Sequence, residues 1–250
     1  MLTLSRSQLK VFEGQATERH HQALLSHLSK HFPGHASSLG ESGLSRFIRH
    51  GLGLARRHGF DTERDQCLYI DLAFMLGIGF DSDPQLEWAQ EILEDPNLVD
   101  PRSRMDDLWD QALCYMERVL GPRAAFPTMA WRAAQRQRLA RAPCLSVVGQ
   151  DRLLAQFHDI WPEKACYVGA KALRGMAVQA QEAAIRYGIL HDTEQVEFCI
   201  LSFLFGHRFY EDPLYPWVDE ILTDGRAWER ERKLGRLLDA FDEYFAVVLG

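Results

Sequence analysis

Strand signals are scarce in this 250-residue chain, and so are the patterns that announce chemistry. No nucleophile elbow, Walker loop, dinucleotide fingerprint or HExxH motif occurs. Gly40-Glu-Ser42-Gly43 is one residue too short for Gly-x-Ser-x-Gly and follows no strand. The five cysteines (Cys67, Cys114, Cys144, Cys166, Cys199) form no CxxC pair. An odd, scattered set reads as reduced thiols rather than a disulfide framework. Asp71 or Ser202 breaks the longest apolar runs well short of a membrane span. The opening MLTLSRSQLKVFEG carries no apolar core of signal-peptide length. A cytoplasmic protein without membrane association is therefore expected. Positive charge is not in excess either: the net charge is −7. An acidic surface argues against nucleic acid as the main partner.

What is present is a repeat. Residues 21–121 and 150–250 align without a gap at a constant offset of 129, with 27 of 101 paired positions identical. Unrelated segments would match at roughly one position in fifteen to twenty. The densest stretch pairs Gly77, Phe80, Asp83, Pro84 and Trp88 with Gly206, Phe209, Asp212, Pro213 and Trp217. Charge follows the same division. Residues 1–121 carry −6, residues 150–250 carry −6, and residues 122–149 hold five arginines and no acid. Two acidic bodies joined by a basic bridge are expected.

Helical signals are strong in both copies. In the first, helices are expected from Ser7 to Phe32, from Glu41 to Gly59, and from Asp61 or Thr62 to Gly77. Two more open at Asp83-Pro84 and at Asp100-Pro101, the last ending at Gly121. The third is apolar nearly all round and should be the buried one. In the last, Met105, Leu108, Trp109, Leu113, Met116 and Leu120 should face inward. The second copy repeats the plan over 150–161, 168–187, 192–206, 213–223 and 227–249. Thr128 to Ala142 reads as a basic helix closed by Pro143. The expected fold is all-α: two tandem pseudo-symmetric five-helix repeats, 1–121 and 150–250, joined by the linker 122–149.

The repeated Gly-x-x-Phe-x-x-Asp-Pro-x-x-x-Trp admits two readings. Asp83 and Asp212 could be paired acids or ligands. The physical reading is a corner: Gly ends the buried helix, Phe plugs the turn, Asp-Pro starts the next helix, and Trp packs back one turn on. The corner explains every element.

Histidines gather at the front as His20, His21, His27, His31 and His35. His27 and His31 have the i, i+4 spacing of a helical metal pair, with His20 on the same face. A metal site would also need a carboxylate or thiolate and supporting partners. The counterparts are Gln156 and Ile160, so a solvated polar face is expected and no metal. Asp71 interrupts the buried helix where the other copy has Ile200. It could mark a site, but pairing with an Arg or Tyr is the ordinary solution. No catalytic residue and no cofactor are expected.

The segments Gly-Phe-Asp-Thr-Glu-Arg-Asp (59–65), Tyr-Ile-Asp-Leu (69–72), Leu-Gly-Ile-Gly-Phe-Asp-Ser-Asp-Pro (76–84) and Trp-Ala-Gln-Glu-Ile-Leu (88–93) carry a resemblance. Over residues 5–121 the chain resembles a family of small, largely uncharacterised bacterial proteins. Genes of that family often sit beside type VI secretion spike, adaptor and effector genes. The resemblance implies an accessory role in effector loading, as a chaperone or co-adaptor, with a secreted toxin or its adaptor as protein partner. It brings no catalytic residues. Contact candidates are exposed aromatics without partners across the repeat, Tyr215 and Trp228, and the bridge residues Trp131, Arg132 and Arg136. Two other readings stand beside it. One is an immunity protein whose acidic surface plugs a toxin's basic groove. The other is an enzyme with a site between the repeats, using Asp71 and nearby histidines.

Overall fold

A computed structural model describes residues 6–122, 125–138, 147–224 and 233–248. Among them the chain is helical throughout, with no strand. Ahead of the bridge lie α1 (Arg6–His31), α2 (Pro33–Arg57), α3 (Glu63–Leu76), α4 (Glu87–Glu94) and α5 (Pro101–Leu120). The bridge helix is α6 (Ala125–Arg138). After it come α7 (Val147–Ile160), α8 (Pro162–Arg186), α9 (Asp192–Phe205), α10 (Pro216–Thr223) and α11 (Lys233–Val248).

Local chemistry accounts for the boundaries. The Thr62 hydroxyl caps α3 by accepting from the Asp65 amide at 3.1 Å and donates to the Asp65 carboxylate at 2.7 Å. Asp100 caps α5 through the Ser103 amide at 3.1 Å, with Pro101 at the first helical position. Gln66 and Gln195, 129 positions apart, each bind the carbonyl of the loop six residues back, Phe60 and Ile189, at 3.1 and 3.2 Å.

Several boundaries differ from the sequence reading. Helix α2 begins at Pro33, not Glu41, because the chain stays helical on both sides of a kink at Gly40 (φ 64°). Helix α8 likewise begins at Pro162 and kinks at Gly169 (φ 79°). The Asp83-Pro84 segment opens with a 3-10 turn, Pro84–Leu86, so α4 starts at Glu87; α10 similarly starts at Pro216. Leu113 is 46 % exposed rather than inward, since Ala112 and Tyr115 take the core face of α5.

Helices α3 and α9 lie at the centre, as their all-round apolar sequences require. Tyr69, Ile70, Leu72 and Ala73 are fully buried on one, Phe198, Cys199 and Phe203 on the other. Helix α2 packs on α3 and α8 packs on α9, with α1 and α7 outside them. A single apolar cluster runs from Leu24 through Trp131 to Phe241, so the two ends of the chain share one core. The bridge helix is part of it: the Trp131 ring lies 5.1 Å from Phe245 and 5.7 Å from Phe205.

The Asp-Pro corners meet at the centre. Asp83 Oδ1 accepts from the Gln85 amide at 2.8 Å, the cap read from the sequence. Its Oδ2 reaches across the molecule and accepts from the His207 amide at 3.0 Å. Asp212 does the same in reverse, taking the Leu214 amide at 2.9 Å and the Ile78 amide at 2.9 Å. Each carboxylate therefore satisfies the first amide beyond the glycine that ends the other central helix. Those glycines adopt backbone open essentially to glycine alone: Gly77 at φ 96°, ψ 151° and Gly206 at φ 98°, ψ 155°. Space is short as well. A Cβ on Gly77 would stand 3.1 Å from the Phe205 carbonyl oxygen, and one on Gly206 3.4 Å from Asp83 Oδ2.

Candidate functional site

Beside the paired corners lies an open cavity of about 280 Å³ with predominantly apolar walls. Residues from both ends of the chain build it, at positions 129 apart: His35 and Lys164, Leu76 and Phe205, Leu86 and Tyr215, Met116 and Phe245, Val119 and Val248. Trp131 of the bridge helix closes one side. At four of these five sequence pairs the side chains differ, so the two sides of the cavity present different chemistry.

Polar groups are few and specific. Lys164 is 6 % exposed; its ammonium donates to the Phe203 carbonyl and sits 5.1 Å from the ring centres of Trp161 and Phe203. Burial pushes its pKa down to about 8, opposed by the nearby charge of Asp83. His35, its counterpart, pairs through Nδ1 with the Tyr244 hydroxyl, and burial lowers its pKa. Asp83 is fully enclosed. Burial works to raise its pKa, but His207, the Gln85 amide and Lys164 outweigh that and hold it below the usual carboxylate range. His207 Nδ1 is 3.6 Å from Asp83 Oδ2, too long for a hydrogen bond. Gln85 donates to Asp83 at 3.2 Å and to the Ser202 carbonyl at 3.1 Å, while its buried Oε1 has no partner.

The cavity can hold an apolar group of one or two large side chains, with the buried Lys164 in its wall.

The sequence-derived contact residues are distributed as follows. Trp131 and Tyr215 both line the cavity, and both rings contact Phe205, at 5.7 and 5.8 Å. Neither is a free surface aromatic. Trp131 is 6 % exposed, and Tyr215 is partly buried against Phe205, Trp217, Phe241 and Tyr244. The expectation of an exposed Tyr215 is corrected: a ring without a counterpart in the other copy (Leu86) is absorbed by the aromatic cluster of α9, α10 and α11. Arg132 and Arg136 are exposed and line a separate groove with Asp159 and Glu163. Trp228 and the bridge residues 139–146 lie outside the described residues. In the corners, Phe80 packs 5.0 Å from Tyr69, and Phe209 5.0 Å from Phe198. Trp88 and Trp217 pack back toward Tyr115 and Tyr244, as the motif implied. Lys164 and His35 were missed, since no motif surrounds them.

A second cluster joins α1 to α3. His27 Nε2 lies 2.9 Å from Asp71 Oδ1 and 3.0 Å from Oδ2, so the buried acid pairs with a histidine rather than the expected Arg or Tyr. Burial raises the Asp71 pKa, offset in part by His27 and His31. Cys67, one turn before Asp71, belongs to the same cluster, and its donor atom lies within 4.8 Å of the other two.

No helix among the described residues is long and apolar enough to cross a membrane. Comparison with protein-family models, curated proteins and solved structures returns no match.

Proposed function

We propose that the chain is a non-enzymatic protein-binding factor built from two pseudo-symmetric repeats, 1–121 and 150–250, joined by the bridge 122–149. Its work is to hold a secreted effector, or that effector's adaptor, during type VI secretion loading in the cytoplasm. The observation that carries this reading is the open apolar cavity whose walls come from both repeats and the bridge at once. Its size suits an aromatic or aliphatic anchor from a partner, the kind of buried group that dominates interface energies. The two walls share a backbone plan but differ in side chains, as expected when a duplicated unit keeps its interior and diverges where it binds. The net charge of −7 favours a basic partner segment, steered by long-range attraction.

The test is co-expression with a toxin encoded beside the gene, comparing wild type with Met75→Trp. Met75 lines the cavity and is 36 % exposed, so a larger ring fills the space without entering the core. Wild type should support toxin accumulation and export, Met75→Trp should lose at least tenfold in binding, and added salt should weaken the complex. Protection of cells from the toxin with export unaffected by deletion would turn the reading to an immunity protein. Equal binding by Met75→Trp would exclude the cavity as the contact.

A further inference from the structure

The sequence offered half of a metal site, and the fold supplies the other half. His27 and His31 are four apart on α1; Cys67 and Asp71 are four apart on α3. Residues at that spacing share a helix face, and α1 touches α3. Three donor atoms, from His27, Cys67 and Asp71, already lie within 4.8 Å of one another. The His31 ring centre is 4.6 Å from that of His27, and His31 is exposed, so a rotamer change brings a fourth nitrogen within reach.

We propose that His27, Cys67 and Asp71 form a binding site for a borderline-soft divalent metal ion, zinc above all, with His31 or water as the fourth ligand. One nitrogen, one thiolate and one carboxylate match the ligand types zinc accepts, at bond lengths of about 2.0–2.3 Å in a tetrahedron. Ligand atoms in such a tetrahedron stand about 3.3–3.8 Å apart. The His27–Asp71 contact at 2.9 Å must open by a few tenths of an ångström, and the thiol lies no more than 4.8 Å from either partner. Helices α1 and α3 both pack on α2 and touch each other only lightly, so the ion adds a cross-link between existing elements.

The alternative is that His27 serves only to compensate a buried acid. The other half of the chain weighs against it. The four counterparts are Gln156, Ile160, Val196 and Ile200, and the last three are buried apolar residues. The same helix pairing is thus achieved there without a single metal donor other than an amide. A buried carboxylate costs desolvation that an isoleucine does not, so the front cluster carries polarity that packing does not require. Cys67 takes no part in the His27–Asp71 pair, whereas in a metal site it is the strongest ligand.

The test uses the full chain, stripped with a chelator under reducing conditions and titrated with Zn²⁺ against a chromophoric competitor, then with Co²⁺. One equivalent should bind with a submicromolar Kd. Co²⁺ should give tetrahedral d–d bands with a thiolate charge-transfer band, and zinc should raise Tm. Cys67→Ser should abolish the charge-transfer band and weaken zinc binding at least tenfold, as should Asp71→Asn and His27→Gln. Cys166→Ser serves as control and should change nothing, since Cys166 stands 3.9 Å from His158 at a distant site. Folding of each variant is checked by circular dichroism. Failure of the wild type to bind Zn²⁺, or binding and a charge-transfer band that survive Cys67→Ser, would overturn the proposal. These readouts do not depend on any protein partner, so the two proposals stand or fall separately.

Discussion

Asp83 and Asp212 occupy equivalent corners, make the same two kinds of amide hydrogen bond, and are both fully enclosed. Their surroundings nevertheless drive them in opposite directions. Asp83 faces His207 and lies near Lys164, and is held below the usual carboxylate range. The paired sequence positions of His207 and Lys164 hold Ile78 and His35, and neither side chain acts on Asp212 as a cation. With two backbone amides as its favourable partners, burial pushes Asp212 up to about 7. Geometry alone therefore does not set the pKa of a buried acid; the neighbouring basic groups separate two otherwise matching corners.

The largest expected effect is at Asp83. Asp83→Ala leaves two buried amides without an acceptor and Lys164 without its neighbouring anion, and should cost about 3–5 kcal/mol. Asp212→Ala also orphans two amides but relieves an unfavourable carboxyl, and should cost about 1–3 kcal/mol at pH 8. Urea denaturation of both variants at pH 8 measures the gap, and equal losses there would show the two corners to be electrostatically alike.

Next in size is a pH dependence confined to one corner. A folded-state pKa above the unfolded value gives a contribution that is present at low pH and lost as pH rises through about 7. The cost of Asp212→Ala should therefore shrink by about 2–3 kcal/mol between pH 5 and pH 8. Asp83 is shifted the other way, so its contribution is lost only as pH falls through a value below the ordinary one. The cost of Asp83→Ala should change far less over the same range, its small slope coming from Lys164, whose pKa of about 8 falls further once Asp83 is gone. Matching slopes for the two variants would dissolve the distinction.

The smallest difference concerns the glycines. Gly77→Ala and Gly206→Ala each force a β-carbon into a backbone conformation that disfavours it, at about 1–3 kcal/mol. Gly77→Ala should be the worse by a few tenths of a kcal/mol to about 1 kcal/mol, because its nearest neighbour is closer and is backbone. Thermal denaturation of the pair sharpens the estimate of how tightly the corners abut.

Much of this arrangement could be read before any coordinates. The Asp-Pro caps, the proline stops at Pro33 and Pro162, and the burial of α3 and α9 follow from local rules of helix chemistry, which depend on residues a few places apart. The kinks at Gly40 and Gly169 escaped because a glycine inside a helical pattern does not announce whether the helix ends or bends. The crossed hydrogen bonds escaped because a helix cap accounts for only one oxygen of Asp83 and of Asp212, through the amide two residues on, and says nothing of where the other points. The second partner is over a hundred residues away, where no spacing rule reaches. The cavity was hidden for the same reason: Lys164 and His35 gain meaning only when two remote walls are set opposite each other. The α1–α3 cluster was half visible, since the histidine pair was evident but the carboxylate and thiol come from another helix.

The crossed acceptors also bear on synthesis. Ile78 and Asp212 are separated by 134 positions, Asp83 and His207 by 124. A ribosome adding roughly 5–20 residues each second must run for many seconds after making Ile78 before its acceptor exists. During that interval the emerging front portion holds a corner with an unclaimed amide and an uncovered apolar flank. Stalling before residue 212 would leave such a nascent chain prone to clump with its neighbours.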